Sequence, residues 1–232
     1  MRDRWLVALC AAGTACFIAC FAAAIAYYPG GTWFDSNAAG HSFAKNFLCD
    51  LMQTRALNGQ DASSGARIAS IGMIAMLAAI AAFYALIARF ELPVSRAGRI
   101  ARGAGLLACV LGCAVPLTPS DRFRNGHVAA VLCGFAPSLV ATIAALVVCM
   151  RAPRVSIWLR SAALVTLVAG ALDGLAYAFA YARYYASPQA AQSPLLNASL
   201  PALQRVATIG MVAWVLAVCV HANRARASTL PR

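Results

Sequence analysis

Charged side chains are scarce in this sequence. They make up 11% of the 232 residues, whereas hydrophobic residues make up 62%. A soluble domain carries roughly 25% charged residues, so this balance excludes a water-soluble fold. Lysine is nearly missing, since Lys45 is the only one and the remaining basic residues are arginines. Internal repeats and segments with the composition of a separate soluble domain are missing too. We therefore predict a single integral-membrane domain over residues 1–232.

Acidic residues are few as well, and the formal net charge is +12. A nucleic-acid-binding protein gathers such an excess in one basic patch. Here the arginines fall instead in short clusters between apolar runs, as in membrane proteins with cationic flanks. We therefore expect no nucleic-acid partner.

The nine cysteines do not indicate a disulfide framework. All except Cys49 lie inside apolar runs, where cysteine acts as a small packing residue. Cys49 lies in a polar segment and has no evident partner there. The cysteine pattern therefore predicts no disulfide-linked scaffold.

Six apolar stretches are long enough to be considered as membrane spans, because a helix needs roughly 20 apolar residues to cross the bilayer. The third is short and ends at Pro116 and Pro119, and Pro137 should kink the fourth. The first is longer than a cleaved signal sequence, so we expect it to be retained. The sequence predicts an all-α, polytopic six-helix bundle. The spans are residues 5–28, 68–89, 103–118, 127–150, 158–183 and 203–222.

Arginine is distributed unevenly between the two ends of these spans. The end with both termini has Arg2, Arg4, Arg89, Arg96, Arg99, Arg102, Arg151, Arg154, Arg160, Arg224, Arg226 and Arg232. The other end has fewer basic residues, diluted by Asp35, Asp50, Asp61 and Asp121. Because cytoplasmic loops carry the excess of basic residues, this bias predicts that both termini are cytoplasmic. The Ala- and Arg-rich, Lys-poor composition favours a bacterial inner-membrane protein.

The long outer connection between the first and second spans, residues 29–67, collects most of the polar residues. Within it, residues 42–51 are predicted to form a short amphipathic helix at the membrane interface. The alternative is a loop anchored by aromatic side chains, in which Asp50 only caps the structure. The stripe of the helix would be Phe43, Phe47, Leu48 and Leu51, and its polar edge Ser42, Asn46 and Asp50.

One carboxylate lies inside an apolar stretch. Asp173 falls roughly 22 Å along the fifth span, in the outer third of the membrane. A charge in the centre of a bilayer costs at least ~2.5 kcal/mol, so this position needs an explanation. Tyr177 and Tyr184 follow on the same helical face. One interpretation is that Asp173 carries a proton or binds a ligand. The alternative is that Asp173 forms hydrogen bonds to neighbouring helices, near Arg183 or Arg205, and that the tyrosines form a belt at the membrane interface.

A second polar group opens the fourth span. Asp121 and His127 are joined by a turn at the outer face, so they could act together or be separate interfacial residues. Aspartate and histidine can ligate zinc, usually as three protein ligands and a water. A divalent metal held by His127, Asp121 and Asp50, with His41 as a further donor, is therefore an alternative to a metal-free site. The Ser-x-x-Lys pattern from Ser42 lacks the motifs that accompany it in acyl-transfer enzymes.

Three segments together resemble a known family. They are Asn46–Leu51 with Asn58 and Gly59, then Pro119–Asp121, and finally His127. They resemble bacterial six-span proteins of the domain-of-unknown-function family 998 and, more distantly, the eukaryotic Frag/DRAM/Sfk family, which is linked to membrane-lipid handling. The resemblance spans roughly residues 5–222 and implies the six-span architecture. Cys49 takes the place of the serine usual in family 998.

The leading functional hypothesis is binding or handling of a membrane lipid or another amphiphile through an outward-facing polar pocket. Asp50, Asp121, His127 and Asp173 are its candidate catalytic residues, and Asn46, Tyr177 and Tyr184 are its candidate ligand contacts. The alternative is an integral-membrane hydrolase or transferase that uses aspartate and histidine. Transport is a weaker hypothesis because the cytoplasmic halves of the spans are almost entirely apolar, and a non-catalytic scaffold remains open.

Overall fold

The computed structural model describes residues 2–91, 93–153, 155–186 and 194–227, with the backbone alone at residues 2–3, 184–186, 194–197 and 225–227. Within these ranges the chain is helical and forms no β-strand, only two isolated β-bridges. A 3-10 helix, Leu48–Met52, lies in the long connection. The α-helices are α1 (Arg2–Tyr27), α2 (Ser63–Ile87), α3 (Arg96–Gly112), α4 (Ala114–Leu117), α5 (Arg124–Arg151), α6 (Ile157–Ala186) and α7 (Pro194–Ala227).

In the described part of the chain, six helical segments are long and apolar enough to cross a membrane, which confirms the predicted number of spans and the all-α, multi-pass character. The third was predicted too short, because its helix begins at Arg96 instead of residue 103. Ser95 caps this helix by accepting the Gly98 N–H at 3.1 Å. The exposed Arg96, Arg99 and Arg102 interrupt the apolar run. Their long stems can carry the charges to water, so the helix continues past the apolar window.

The helices pack mainly as three pairs, α1 with α2, α3 with α5, and α6 with α7, and α2 also contacts α3, α5 and α7. Small residues allow this close approach, since a side chain on Gly13 of α1 would meet Ala75 and Ala79 of α2. Large apolar side chains such as Ile71, Val110 and Ile209 face outward. Apolar groups on the outside and small residues between helices are what a lipid environment requires.

Aromatic and hydroxyl groups join the pairs in the centre of the bundle. Phe83 and Trp214 pack edge to face with ring centroids 4.7 Å apart, which joins α2 to α7. The hydroxyls of Tyr84 and Thr142 form a 2.8 Å hydrogen bond between α2 and α5. All four side chains are buried. Helix α2 is therefore the common packing partner of the bundle.

The connection from residue 28 to residue 62, here called the loop cap, is ordered across one end of the bundle. That end, which also carries residues 118–123, is called the loop end. The predicted helix over residues 42–51 is wrong, since only Leu48–Met52 is helical and as a 3-10 helix. The Asn46 side chain accepts the Ser42 N–H at 2.9 Å and the Asp50 carboxylate accepts the Phe47 N–H at 2.7 Å. These side-chain bonds compete with the α-helical pattern.

Gly105 is a test of the packing. A side chain there would meet the ring of Tyr84, whereas Gly103, on the same helix, is exposed and has nothing within 4 Å of the corresponding position. We expect Gly105→Ala to destabilise the protein by about 1–3 kcal/mol through overpacking, and Gly103→Ala to leave it unchanged or slightly more stable. Thermal unfolding of both variants in detergent measures this. Equal stability of the two variants would contradict the α2–α3 packing described here.

Candidate functional site: a capped cavity in the bundle

The Asp50 carboxylate is the centre of the loop cap. Asp50 is 1% exposed, and its two oxygens accept four hydrogen bonds. Oδ2 accepts the Trp33 indole N–H at 3.1 Å, the Asn46 amide at 3.4 Å and the Phe47 backbone N–H at 2.7 Å. Oδ1 accepts the Gln53 amide at 3.0 Å. A buried carboxylate is tolerated when its oxygens are saturated in this way.

Two residues of α7, Gln204 and Arg205, attach the loop cap to this helix. The Gln204 side-chain oxygen accepts the Leu48 N–H at 2.7 Å. Arg205 donates from Nη2 to the Asn46 carbonyl at 2.8 Å and from Nη1 to Gln204 at 3.2 Å. Its guanidinium also lies 5.0 Å from the centre of the Phe43 ring. Arg205 thus bonds to the loop cap, and no described contact pairs it with Asp173.

The connection before α5 forms a second attachment. Asp121 Oδ2 accepts the backbone N–H groups of Thr54 and Arg55, each at 3.1 Å, and the Thr54 hydroxyl at 2.6 Å. The Gln53 amide donates to Ser120 Oγ at 2.9 Å as well as to Asp50. Gln53 bonds to Asp50 and Ser120, and the next residue, Thr54, bonds to Asp121, so the two carboxylates hold adjacent parts of the loop cap. Protein donors occupy both oxygens of Asp50 and Oδ2 of Asp121.

Backbone glycines and Tyr28 complete the loop cap. Gly31 has φ +88°, and a side chain on it would meet Leu57 and Asn58. The Leu57 N–H donates to the Tyr28 hydroxyl at 3.1 Å, and the rings of Tyr28 and His41 pack edge to face. Burial lowers the pKa of His41 to about 4, so this ring is neutral at physiological pH. The loop cap is thus fixed along its length and not only at Asp50.

Below the loop cap lies a cavity of about 320 Å³, bounded mainly by α2, α5, α6, α7 and the segment 47–52. Asp173 and Tyr177 of α6 line it, together with Cys49 and Gln204 from the loop end. The rest is largely apolar and rich in methionine. Its apolar lining includes Phe17, Met52, Met73, Met76, Val131, Phe135, Leu139, Leu167 and Met211.

The candidate residues fall into two groups joined at Cys49. Burial raises the pKa of the half-buried Cys49 thiol, and the charges of Asp50 and Asp173 raise it further, so both carboxylates act on this position. Asp50 and Asn46 stabilise the loop cap, while Asp173 and Tyr177 line the cavity below it. Tyr184 lies where the side chains are not described. Asp121 bonds at the rim of the network and does not line the cavity.

His127 is separated from this cavity. It is 2% exposed, and its Nδ1 lies 2.8 Å from the Thr118 carbonyl. Its Nε2 is buried and has no hydrogen-bond partner among the residues that the structure describes. The side chain does not line the cavity. His127 therefore stabilises the turn that precedes α5 and does not join Asp173.

The described side chains do not form a set of ligands for a metal ion. In the part of the chain that the structure describes, no three histidine, cysteine or acidic side chains form a group able to hold an ion. The oxygens of Asp50 and the Oδ2 atom of Asp121 already accept several N–H and O–H donors, which a metal would have to replace. The described donor set therefore does not fit the three-ligand zinc site considered from the sequence.

Sequence reasoning missed the residues that position this site. Gln53, Gln204 and Ser120 are uncharged, and no local pattern shows that residues 48 and 204 meet. Arg205 was considered only as a neighbour of Asp173. The sequence does contain one signal for this contact, the pair Gln204-Arg205 at the start of an apolar span. Two strong hydrogen-bonding side chains at such a position need partners.

Comparisons of the chain with protein-family models, with curated proteins and with solved structures find no match. Its functional assignment therefore depends on the geometry of the cavity and the loop cap.

Trp33 provides a direct test of the Asp50 environment. Burial raises the pKa of Asp50 to about 6, against the lowering effect of the hydrogen bonds from Phe47, Trp33 and Asn46. We expect the Trp33 emission to titrate with a midpoint near pH 6, because protonation changes the acceptor of its indole N–H. Fluorescence of the wild type is compared with Asp50→Asn, which removes the titration, and with Trp33→Phe, which removes the reporter. A midpoint near pH 4 in the wild type would show that Asp50 is solvated.

Proposed function

We propose that the protein binds an amphiphile of the membrane in the cavity beneath the loop cap. The observation that carries the proposal is the composition of this cavity. Its wall is apolar over most of its area, and one carboxylate, Asp173, lies near its loop end with Tyr177 one helical turn away. Binding sites for small molecules are typically apolar with a few converging polar groups. An amphiphile has an apolar chain that suits the wall and a polar headgroup that suits Asp173 and Tyr177.

The size of the cavity restricts the ligand. Ligand pockets usually have volumes of about 300–1,000 Å³, and this one, at about 320 Å³, is at the small end. It suits a headgroup with part of a chain, or a single-chain amphiphile, better than a whole two-chain lipid. The methionines Met52, Met73, Met76 and Met211 add flexible, polarizable side chains that adapt to different chains.

The loop cap favours binding over hydrolysis or group transfer. Asp50 and Asp121, the carboxylates required by the enzymatic alternative, are engaged as hydrogen-bond acceptors that hold the loop cap. His127 lies outside the cavity lining. Asp173 remains as the single carboxylate among the described lining residues, which include no histidine. A binding protein or lipid-handling factor needs no more than this.

The proposal includes a location and an orientation. Arginine bias favours a bacterial inner-membrane protein with cytoplasmic termini, so the loop cap would face the periplasm. A lipid-handling role is also what the resemblance to the family 998 and Frag/DRAM/Sfk proteins implies. The cavity would then accept its ligand from the outer half of the bilayer.

Gly170 allows a test of the cavity. It lines the cavity, and a side chain built on it has no neighbour within 4 Å. We expect Gly170→Leu to fill the space and to remove a selected amphiphile that co-purifies with the wild type, as measured by mass spectrometry of the extracted lipids. Gly103→Leu is the matched control, because Gly103 is equally unobstructed but lies on the outside of α3. Identical, non-selective lipid profiles in all three proteins would refute the proposal.

Lys45 allows a test of the orientation. It is the single lysine of the chain and is exposed on the loop cap. A membrane-impermeant amine reagent should label the wild type in intact spheroplasts of a bacterial host, and Lys45→Arg should abolish this label. The label is located by peptide mass spectrometry, which separates Lys45 from the amino terminus. Labelling of Lys45 that appears only after the membrane is opened would place the loop cap in the cytoplasm.

A further inference from the structure

The cavity contains an acidic group without a basic partner. Among the described residues that line it, Asp173 is the only one with a formal charge. The lining residues of α2 and α5 are apolar or carry hydroxyl groups, and α7 contributes Gln204 as its most polar side chain. Asp173 makes no hydrogen bond or ion pair with any described residue. A carboxylate at this depth is costly unless something pairs with it.

The arginines of α6 and of the loop end of α7 have partners other than Asp173. Arg205, on the adjacent helix α7, donates to Asn46 and Gln204 and lies over the Phe43 ring. Arg183 follows Asp173 by ten residues on α6, which is roughly 15 Å along the helix axis, and its guanidinium lies over Phe179. Arg124 is exposed at the start of α5 and does not line the cavity. Among the described residues, no basic side chain that lines the cavity is therefore available to pair with Asp173.

Two aromatic side chains line the cavity together with this carboxylate. The Phe135 ring of α5 packs directly against Gly174, the residue next to Asp173, where any side chain would collide with it. Tyr177 lies one turn further along α6 and also lines the cavity. Aromatic faces attract cations, and the attraction increases where water is excluded. A cavity lined by one carboxylate, two aromatic rings and otherwise largely apolar side chains is complementary to an alkyl-ammonium group.

We infer that the ligand of this cavity carries an ammonium group, which pairs with Asp173 while its alkyl part occupies the methionine-rich wall. This inference rests on the proposed function, because it names the class of amphiphile that the same cavity takes. The ammonium could belong to a free single-chain amine or to an ethanolamine headgroup whose chains extend out of the cavity. The shared chemistry is an N–H-bearing cation on an aliphatic chain.

Three probes with the same chain separate the headgroups: dodecylammonium, dodecanol and dodecanoate. Binding is measured by calorimetry with the full-length protein in maltoside micelles, with empty micelles subtracted. The wild type should bind dodecylammonium at least about tenfold more tightly than dodecanol, since a buried charge pair adds more than tenfold to affinity. Asp173→Asn should reduce the affinity for dodecylammonium to that for dodecanol. Asp173→Glu should keep the preference, and Asp35→Asn, which removes an exposed charge outside the cavity, should leave it unchanged.

The outcomes distinguish the inference from the proposed function. Equal affinities for dodecylammonium and dodecanol in the wild type, both abolished by Gly170→Leu, would overturn the inference and leave the amphiphile cavity intact. A preference for dodecanol or dodecanoate would overturn it as well. Binding of all probes that is insensitive to Gly170→Leu would overturn the proposed function. Competition by phosphatidylethanolamine but not by phosphatidylglycerol would identify a lipid headgroup as the source of the ammonium group. No competition by phosphatidylethanolamine would identify a free amine as the source.

Discussion

The loop end of this protein depends on one buried carboxylate and its hydrogen-bond donors. Asp50 accepts bonds from Trp33, Asn46, Phe47 and Gln53, which are four positions of the loop cap outside its 3-10 helix. Loops at a membrane interface carry backbone groups that need partners. Saturation of Asp50 fixes the fold of the loop cap, and Gln204 and Arg205 then fix its position on the bundle. The cavity exists because this cap bridges the helices without filling the space between them.

The membrane architecture was predictable because hydropathy acts over whole helices. Each span is a run of apolar residues bounded by arginine or proline, and backbone hydrogen bonding in lipid allows only helix there. The error at the third span has the same origin, since Arg96, Arg99 and Arg102 lower the local hydropathy although their charges can reach water from a helix. Hydropathy averaged over a window of residues does not report where the charged end of a long side chain lies.

The candidate site was predictable only in part. Asp50, Asn46, Asp173 and Tyr177 were identified because polar residues are rare here and each needs a reason, and the structure places them around Cys49 and the cavity below it. Their division into a cap and a lining was not visible, because it depends on the contact between residues 48 and 204. His127 was grouped with them by its position at the same end of a helix. Depth along a helix says nothing about which side of that helix faces a cavity.

The central claim is that a chain of an amphiphile occupies the space between α2, α5, α6 and α7. Photo-crosslinking with a single-chain amphiphile that carries a diazirine in its alkyl chain, followed by peptide mass spectrometry, tests this directly. We expect adducts concentrated on Met73, Met76, Leu139 and Met211, which line the cavity. Adducts confined to Ile71, Val110 and Ile209, which face outward, would show that the amphiphile only surrounds the protein as bulk lipid and that the cavity does not bind it.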